Sequence, residues 1–223
     1  MTPNKIRLVV FDLDGTLVDS AGTIYDATIE ALAELKIPHN LTREILDKRI
    51  GAHFQDIFDE LNIIVDDFEG FIDVYKGYYF KYIDSSYLYP NVVETLKQLK
   101  ETGHKIALLT TKAQDQADKI ITHFELDAFF DYIMGRREGI EVKPSPEPLL
   151  IVCSENSVPP SETLMVGDTE LDIMCGKGAG VDTCAVTYGY RTETDLRNYS
   201  PSYIINGMDE LAGIIPDGHP PIK

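Results

Sequence analysis

Residues 6–14 read Ile-Arg-Leu-Val-Val-Phe-Asp-Leu-Asp, an apolar and largely β-branched run that stops abruptly at two aspartates. Gly15 and Thr16 follow. Side chains alternate along a strand, so Asp12 and Asp14 leave its carboxyl end toward the same side. Two neighbouring carboxylates repel each other unless a cation or a shared proton compensates. The run therefore calls for a buried strand that opens into a polar crevice. It points to Mg²⁺-dependent aspartate chemistry, with phosphoryl transfer as the reaction type.

The rest of the chain supplies a sheet for that strand. From Pro90 onward, strand and helix patterns alternate. A helix over Val92 to Lys100 stops at Gly103, and a strand over Lys105 to Leu109 follows. A helix from Gln114 to Phe124, a short strand near Tyr132 to Met134 and a helix around Leu149 to Asn156 come next. The series closes with a strand over Thr163 to Val166, a helix from Leu171, strands over Thr183 to Val186 and Tyr203 to Ile205, and a helix from Met208. Repeated strand–helix units predict an α/β fold, a Rossmann-like parallel sheet with helices on both faces.

Residues 16–86 differ. Ile24, Ala27, Ala31, Leu32 and Leu35 fit a helical period that Pro38 ends, with Asp19 or Ser20 as its cap. Leu41 to Ile50 and Phe54 to Leu61 read as two shorter helices. Phe68, Phe71, Ile72, Tyr75, Tyr79 and Tyr82 form an aromatic stripe at helical spacing, read as a core face. No strand is expected here. The division is thus an α/β core over 1–15 and 87–223 and a small helical-bundle cap over 16–86, with linkers near 16–19 and 84–88 as hinges. The stretch from Pro216 to Lys223 reads as a loose tail.

Composition narrows the partners. The 223 residues carry a formal net charge of −17. Only four of the 37 acidic residues enter the constellation below, so the acidity belongs mainly to the surface. Such a surface repels nucleic acid and anionic membranes. Cys153, Cys175 and Cys184 are odd in number and irregular in spacing, which predicts reduced core thiols rather than disulfides or a zinc site. A strand that begins by about residue 6 leaves no room for a signal peptide, so a cytoplasmic chain is expected.

In open α/β sheets the ligand crevice lies beyond the carboxyl ends of the strands. Four strand ends or adjoining loops are polar there: Asp12 and Asp14; Thr110-Thr111-Lys112; Lys143-Pro144; and Gly167-Asp168-Thr169-Glu170-Leu171-Asp172. Asp-x-Asp-Gly-Thr, a threonine after an apolar strand, Lys-Pro and Gly-Asp-x-x-x-Asp occur in this order across essentially the whole chain. The set resembles the haloacid dehalogenase superfamily of phosphatases. A helical insert directly after the first motif resembles its phosphoglycolate phosphatase-like subgroup, as does Thr187-Tyr188-Gly189-Tyr190-Arg191. That subgroup also contains pyrophosphatases and β-phosphoglucomutase. Thr110-Thr111-Lys112 stands where the subgroup frequently has Thr-Asn-Lys.

The resemblance implies a role for each residue. Asp12 would be the nucleophile, forming an aspartyl-phosphate. Asp14 would protonate the leaving oxygen and then deprotonate water, with its backbone carbonyl on the metal. Asp12 and Asp168, with Asp172 close by, would hold Mg²⁺. Thr110 would donate to a phosphoryl oxygen, and Lys143 would pair with phosphate and with Asp12. Gly15, Thr16 and Thr111 would line the phosphate site. In the insert, Arg49, Gly51 and His53 are candidates for substrate recognition, with Lys76 and Lys81 behind them. Asp14 favours a phosphatase over a dehalogenase, because ester cleavage needs an acid for its leaving group. The reading is a Mg²⁺-dependent phosphatase acting on a small phosphorylated metabolite such as phosphoglycolate. Pyrophosphatase or β-phosphoglucomutase-like transfer is the alternative, and a non-catalytic regulator the more distant one. The chain would be a monomer or homodimer.

Overall fold

The computed structural model describes residues 6–215. In chain order the elements are β1 (Leu8–Phe11), β2 (Val18–Asp19), α1 (Ala21–Glu34), α2 (Arg43–Asp47), α3 (Phe54–Leu61) and α4 (Phe68–Lys81). There follow β3 (Tyr87–Leu88), α5 (Val92–Glu101), β4 (Lys105–Ala113), α6 (Gln114–His123) and β5 (Tyr132–Arg136). The chain continues through α7 (Glu147–Glu155), β6 (Thr163–Gly167), α8 (Glu170–Ala179), β7 (Asp182–Val186), α9 (Glu193–Arg197), β8 (Tyr203–Ile205) and α10 (Leu211–Ile214).

Six strands form one parallel sheet in the order β5-β4-β1-β6-β7-β8. Starting at β1, the chain builds outward through β4 and β5. It then returns to the other side of β1 and builds through β6, β7 and β8. The strand order thus reverses between β1 and β6, and the carboxyl ends of those two strands border the crevice where such sheets bind ligands. Both strands are fully buried.

The alternation along β1 is used on both faces. Val9 and Phe11 join Ile106, Leu108, Leu164 and Val166 under α5 and α6. Leu8 and Val10 point the other way, to Ala107, Leu109, Met165 and the α7 and α8 residues Leu149, Val152 and Cys175. Each fully buried aliphatic or aromatic side chain of this kind contributes about 1.5–3 kcal/mol of apolar burial. All three cysteines are free and buried, as expected. No helix among the described residues is long and apolar enough to cross a membrane.

The four helices between β1 and β3 share the first of these cores. Ile24, Ala27, Ala31 and Leu32 of α1 are buried, and α1 packs chiefly against α4. The aromatic stripe is a core face: Phe71, Tyr75 and Tyr79 are buried. Phe54, Phe58 and Phe71 interlock, with edge-on ring pairs 5.6 and 4.9 Å apart. α1 stops at Glu34, ahead of Pro38, because the chain turns through a left-handed residue at Lys36.

One expectation fails. The segment 16–86 is not strandless: β2 pairs antiparallel with β3, Val18 opposite Leu88 and Asp19 opposite Tyr87. Two residues per strand carry no readable alternation, so only the pairing itself reveals them. The short helix α9, capped by the Thr192 side chain, was also not anticipated. β4 runs past Leu109 to Ala113. The tail expected from Pro216 lies outside the described residues.

Candidate active site

The backbone N–H of Asp12 donates to the Val166 carbonyl at 2.9 Å, which places the end of β1 beside the end of β6. Asp12, Asp168 and Asp172 converge there, with one carboxylate oxygen of each within 4.8 Å of the others. All three are buried, Asp168 completely. Lys143 reaches in from the loop before α7. Its Nζ donates to Asp12 Oδ1 at 2.5 Å and to Asp172 Oδ1 at 2.6 Å.

This packing sets the protonation states. Burial acts to lower the pKa of Lys143, but Asp12 and Asp172 outweigh it and hold the ammonium charged. Burial pushes the Asp12 carboxyl from 3.8 up to about 7, despite the counteracting Lys143. Burial, then the neighbouring Asp12 and Asp172, push Asp168 well above the ordinary carboxylate range. Asp12 and Asp172 thus share one ammonium beside Asp168, and a further positive charge there would favour the ionised forms of Asp12 and Asp168. Three hard oxygen donors around a small gap suit Mg²⁺, which takes a few carboxylates and fills its remaining positions with water and phosphate oxygens. The donor set fits the cation.

The remaining hydrogen bonds fix each carboxylate. Asp172 Oδ2 accepts from the Thr169 N–H at 3.0 Å and the Thr169 hydroxyl at 2.7 Å, forming a capping box at the start of α8. Asp172 therefore caps the helix and orients Lys143 with the same carboxylate. Asp168 accepts from the Tyr190 N–H at 2.8 Å and from the Thr16 hydroxyl at 3.2 Å. Gly15 has φ +88° and lies so close to Asp168 that a Cβ would overlap the carboxylate. A Cβ on Gly189 would overlap both Asp168 and the Gly15 carbonyl.

Asp14 faces elsewhere. Its carboxylate is not part of the acidic trio. Asp14 Oδ1 accepts from the Ser20 hydroxyl and lies 3.4 Å from Lys112 Nζ. Lys112 is buried between Asp14 and the inserted helices, its ammonium 4.2 Å from the centre of the Tyr79 ring. Burial acts to lower the Lys112 pKa, and Asp14 outweighs it. Ser20 is at the N-cap of α1 but makes no side-chain cap bond. Its hydroxyl serves Asp14 instead, while Asp19 reaches the Ala21 N–H at a long 3.4 Å and accepts from the Tyr87 hydroxyl at 2.6 Å. Ser20, Lys112 and Tyr190 were not foreseen in these roles. Their placement depends on contacts across up to 170 residues, which no local pattern encodes.

Thr110 is buried at the end of β4. The Thr111 hydroxyl is spent on the Gly51 carbonyl at 3.1 Å. The loop around Gly51 does dip onto the strand ends, and Arg191 Nη2 also holds it by donating to the Ile50 carbonyl at 3.3 Å. His53 lines a cavity beside Asp14. Arg49 does not join the site: its guanidinium is taken by Glu60 and by the Ile45 carbonyl. Lys76 is paired with Asp115, and Lys81 packs on Tyr78 and Tyr82.

Comparison with known proteins bears on the family and the fold. The family model of the haloacid dehalogenase-like hydrolases matches residues 9–186. A curated relative from Halalkalibacterium halodurans, called Pyrophosphatase PpaX, is 35% identical over 212 residues, covering 95% of this chain and 97% of the relative. A relative of the same name from Bacillus mycoides is 33% identical, with the same coverage. A crystal structure described as a predicted phosphoglycolate phosphatase from Haemophilus somnus superposes with a TM-score of 0.80 at 28% identity, covering 94% of this chain and 97% of that one. The chain belongs to the haloacid dehalogenase-like hydrolase family.

Proposed function

We propose that the chain is a Mg²⁺-dependent phosphatase that cleaves a small phosphorylated metabolite by way of a phosphoryl group carried on Asp12. The observation that carries this reading is the shared ion pair of Lys143 with Asp12 and Asp172 beside Asp168. Lys143 binds Asp12 through Oδ1, which leaves Oδ2 to attack phosphorus. As the P–O bond breaks, Asp14 gives a proton to the leaving oxygen; it then takes one from the water that attacks the aspartyl-phosphate. Thr110 and Lys143 hold phosphoryl oxygens. When bound, Mg²⁺ would sit among Asp12, Asp168 and Asp172 and offset charge on the phosphoryl group.

The helices α1–α4 act in this reading as a cap over the crevice, with the β2–β3 pair at its base. Pyrophosphate is the second substrate reading, favoured by the name of the curated relatives that match nearly the whole chain. The test is phosphate release from p-nitrophenyl phosphate and from pyrophosphate. Release should require Mg²⁺, stop on chelation and vanish in Asp12→Asn. Borohydride reduction during turnover should convert residue 12 to homoserine, the product expected from an acyl phosphate. Turnover that survives in Asp12→Asn would overturn the assignment.

A further inference from the structure

The segment 187–191, between β7 and α9, carries none of the reacting groups assigned above, yet three of its side chains reach the inserted part of the chain. The Tyr188 hydroxyl donates to the Thr16 carbonyl at 2.9 Å, where the chain leaves the sheet. The Tyr188 ring also lies 4.7 Å from the ring of Tyr89, where the chain returns. The Tyr190 hydroxyl accepts from the Ser20 N–H at 3.0 Å, just ahead of α1, and its side chain is hydrogen-bonded to that of Tyr89. Arg191 Nη2 donates to the Ile50 carbonyl at 3.3 Å, beside Gly51. One short segment thus holds both crossings between sheet and insert, and the loop that dips onto the strand ends.

These contacts have a common form. The bonds to Thr16, Ser20 and Ile50 all end on main-chain atoms, so they fix the path of the chain whatever side chains the insert carries. There is little slack. The Tyr190 N–H holds Asp168 at 2.8 Å while its hydroxyl holds Ser20, so the residue is pinned at both ends. A Cβ on Gly15 would meet the Tyr190 ring at 2.7 Å. Arg191 is pinned as well: Nε and Nη2 donate to Glu170 at the start of α8, at 2.8 and 3.2 Å. A guanidinium is planar with its donors in a fixed fork, so pairing with Glu170 settles where the second Nη2 proton points. A lysine would keep the charge beside Glu170 without that direction. The next carbonyl, Gly51, is held by the Thr111 hydroxyl at 3.1 Å from the end of β4, on the other side of β1. Successive carbonyls of the loop are therefore held from the two halves of the sheet.

We propose that Tyr188, Tyr190 and Arg191 are positioning residues that set where the inserted helices sit over the crevice. The two tyrosines hold the crossings, and Arg191, aimed by Glu170, latches the Gly51 loop onto the strand ends. The inference rests on the phosphatase reading above for the role of these helices as a cover, and adds the residues that keep the cover in place. Loosening Arg191 frees the loop, and loosening either tyrosine frees the crossings. A freed loop no longer encloses a compact ester but lets a bulky one enter, so the latch also acts on the size of substrate the crevice accepts.

The first measurement is amide hydrogen exchange by mass spectrometry on the full chain: wild type, Arg191→Lys, Tyr188→Phe and Tyr190→Phe. Arg191→Lys should speed exchange in peptides over 49–53 by about tenfold or more, the shift expected when one hydrogen bond to a charged group is lost. The two Tyr→Phe variants should instead speed exchange over 16–20. Peptides over β4 should keep wild-type rates in all three. Unchanged exchange over 49–53 in Arg191→Lys, or an increase of the same size in β4, would overturn the latch. The second measurement is kcat/KM with Mg²⁺ for p-nitrophenyl phosphate and for a phosphotyrosyl hexapeptide. In Arg191→Lys the ratio of peptide to nitrophenyl ester should rise about tenfold or more. An equal fall on both substrates is what a merely structural residue would give, and it would overturn the positioning role. Failure of wild type to turn over p-nitrophenyl phosphate would instead sink the phosphatase reading, and the exchange pattern alone would then decide the latch.

Discussion

The acidic trio makes a prediction about stability that needs no substrate. Asp12 is buried, and its carboxyl is pushed from 3.8 up to about 7. Because the folded value lies above the unfolded one, the stability linked to this group is fully present below about pH 4 and is lost as pH rises through about 7. The displacement corresponds to about 4 kcal/mol of folding free energy withheld from the cation-free protein above that pH. Asp168, also raised by burial and its neighbours, acts in the same direction. A divalent cation among these oxygens stabilises their ionised forms and restores what burial took away. The stabilisation that Mg²⁺ provides should therefore be small near about pH 5, grow through about pH 7 and level off above about pH 8. For a chain of this size, 4 kcal/mol is on the order of 10 °C in Tm. The assay is thermal unfolding with millimolar MgCl₂ or with chelator across that pH range, on wild type and Asp12→Asn. A Mg²⁺ increment that is flat with pH, or larger at the acidic end, would refute the reasoning. So would an Asp12→Asn protein that keeps the whole pH dependence.

Three further outcomes can be checked directly. Gly189→Ala puts a methyl against Asp168 and the Gly15 carbonyl; it should weaken Mg²⁺ affinity by about 10–100-fold, read by metal titration of turnover. Phe58→Ala empties a fully buried ring site between Phe54 and Phe71 and should cost about 3–5 kcal/mol in urea unfolding. Arg49→Ala removes a side chain engaged by Glu60 and Ile45, and relative kcat/KM across a substrate panel should stay within about twofold, whereas His53→Ala should change it.

What the sequence reveals here follows from the range of each interaction. β1, β6 and their terminal aspartates are legible because apolar strands and abrupt polar ends are local patterns, and four such ends in order leave little freedom. Helices α3 and α4 are legible because their apolar faces repeat. Arg49 is a candidate by its proximity to Gly51 in the chain, but it lies in the turn after α2, where Glu60 of α3 claims its guanidinium. Asp19 or Ser20 reads as a helix cap, because caps are the usual use of such residues at that position, and Ser20 does stand at the N-cap without a side-chain cap bond. Its true partner, Asp14, becomes visible only when the chain folds back at β2. Tyr75 and Tyr79 belonged to a stripe correctly read as core, yet periodicity does not show that Lys112 from another strand ends beneath them.

The pairing of β2 with β3 has a consequence of its own. Val18 and Leu88 are direct partners, so the chain leaves and re-enters the sheet domain across the width of a single ladder, about 5 Å. From the standpoint of the sheet, everything between them is one closed loop. Closure entropy rises only as the logarithm of loop length, so the sheet is almost indifferent to how many residues that loop contains. Replacing residues 20–86 by a tight turn should leave the six parallel strands able to assemble while stripping Tyr75 and the Gly51 loop from the crevice. The ladder would thus let the inserted helices, and with them the residues that cover the crevice, be exchanged without rebuilding the six-stranded sheet.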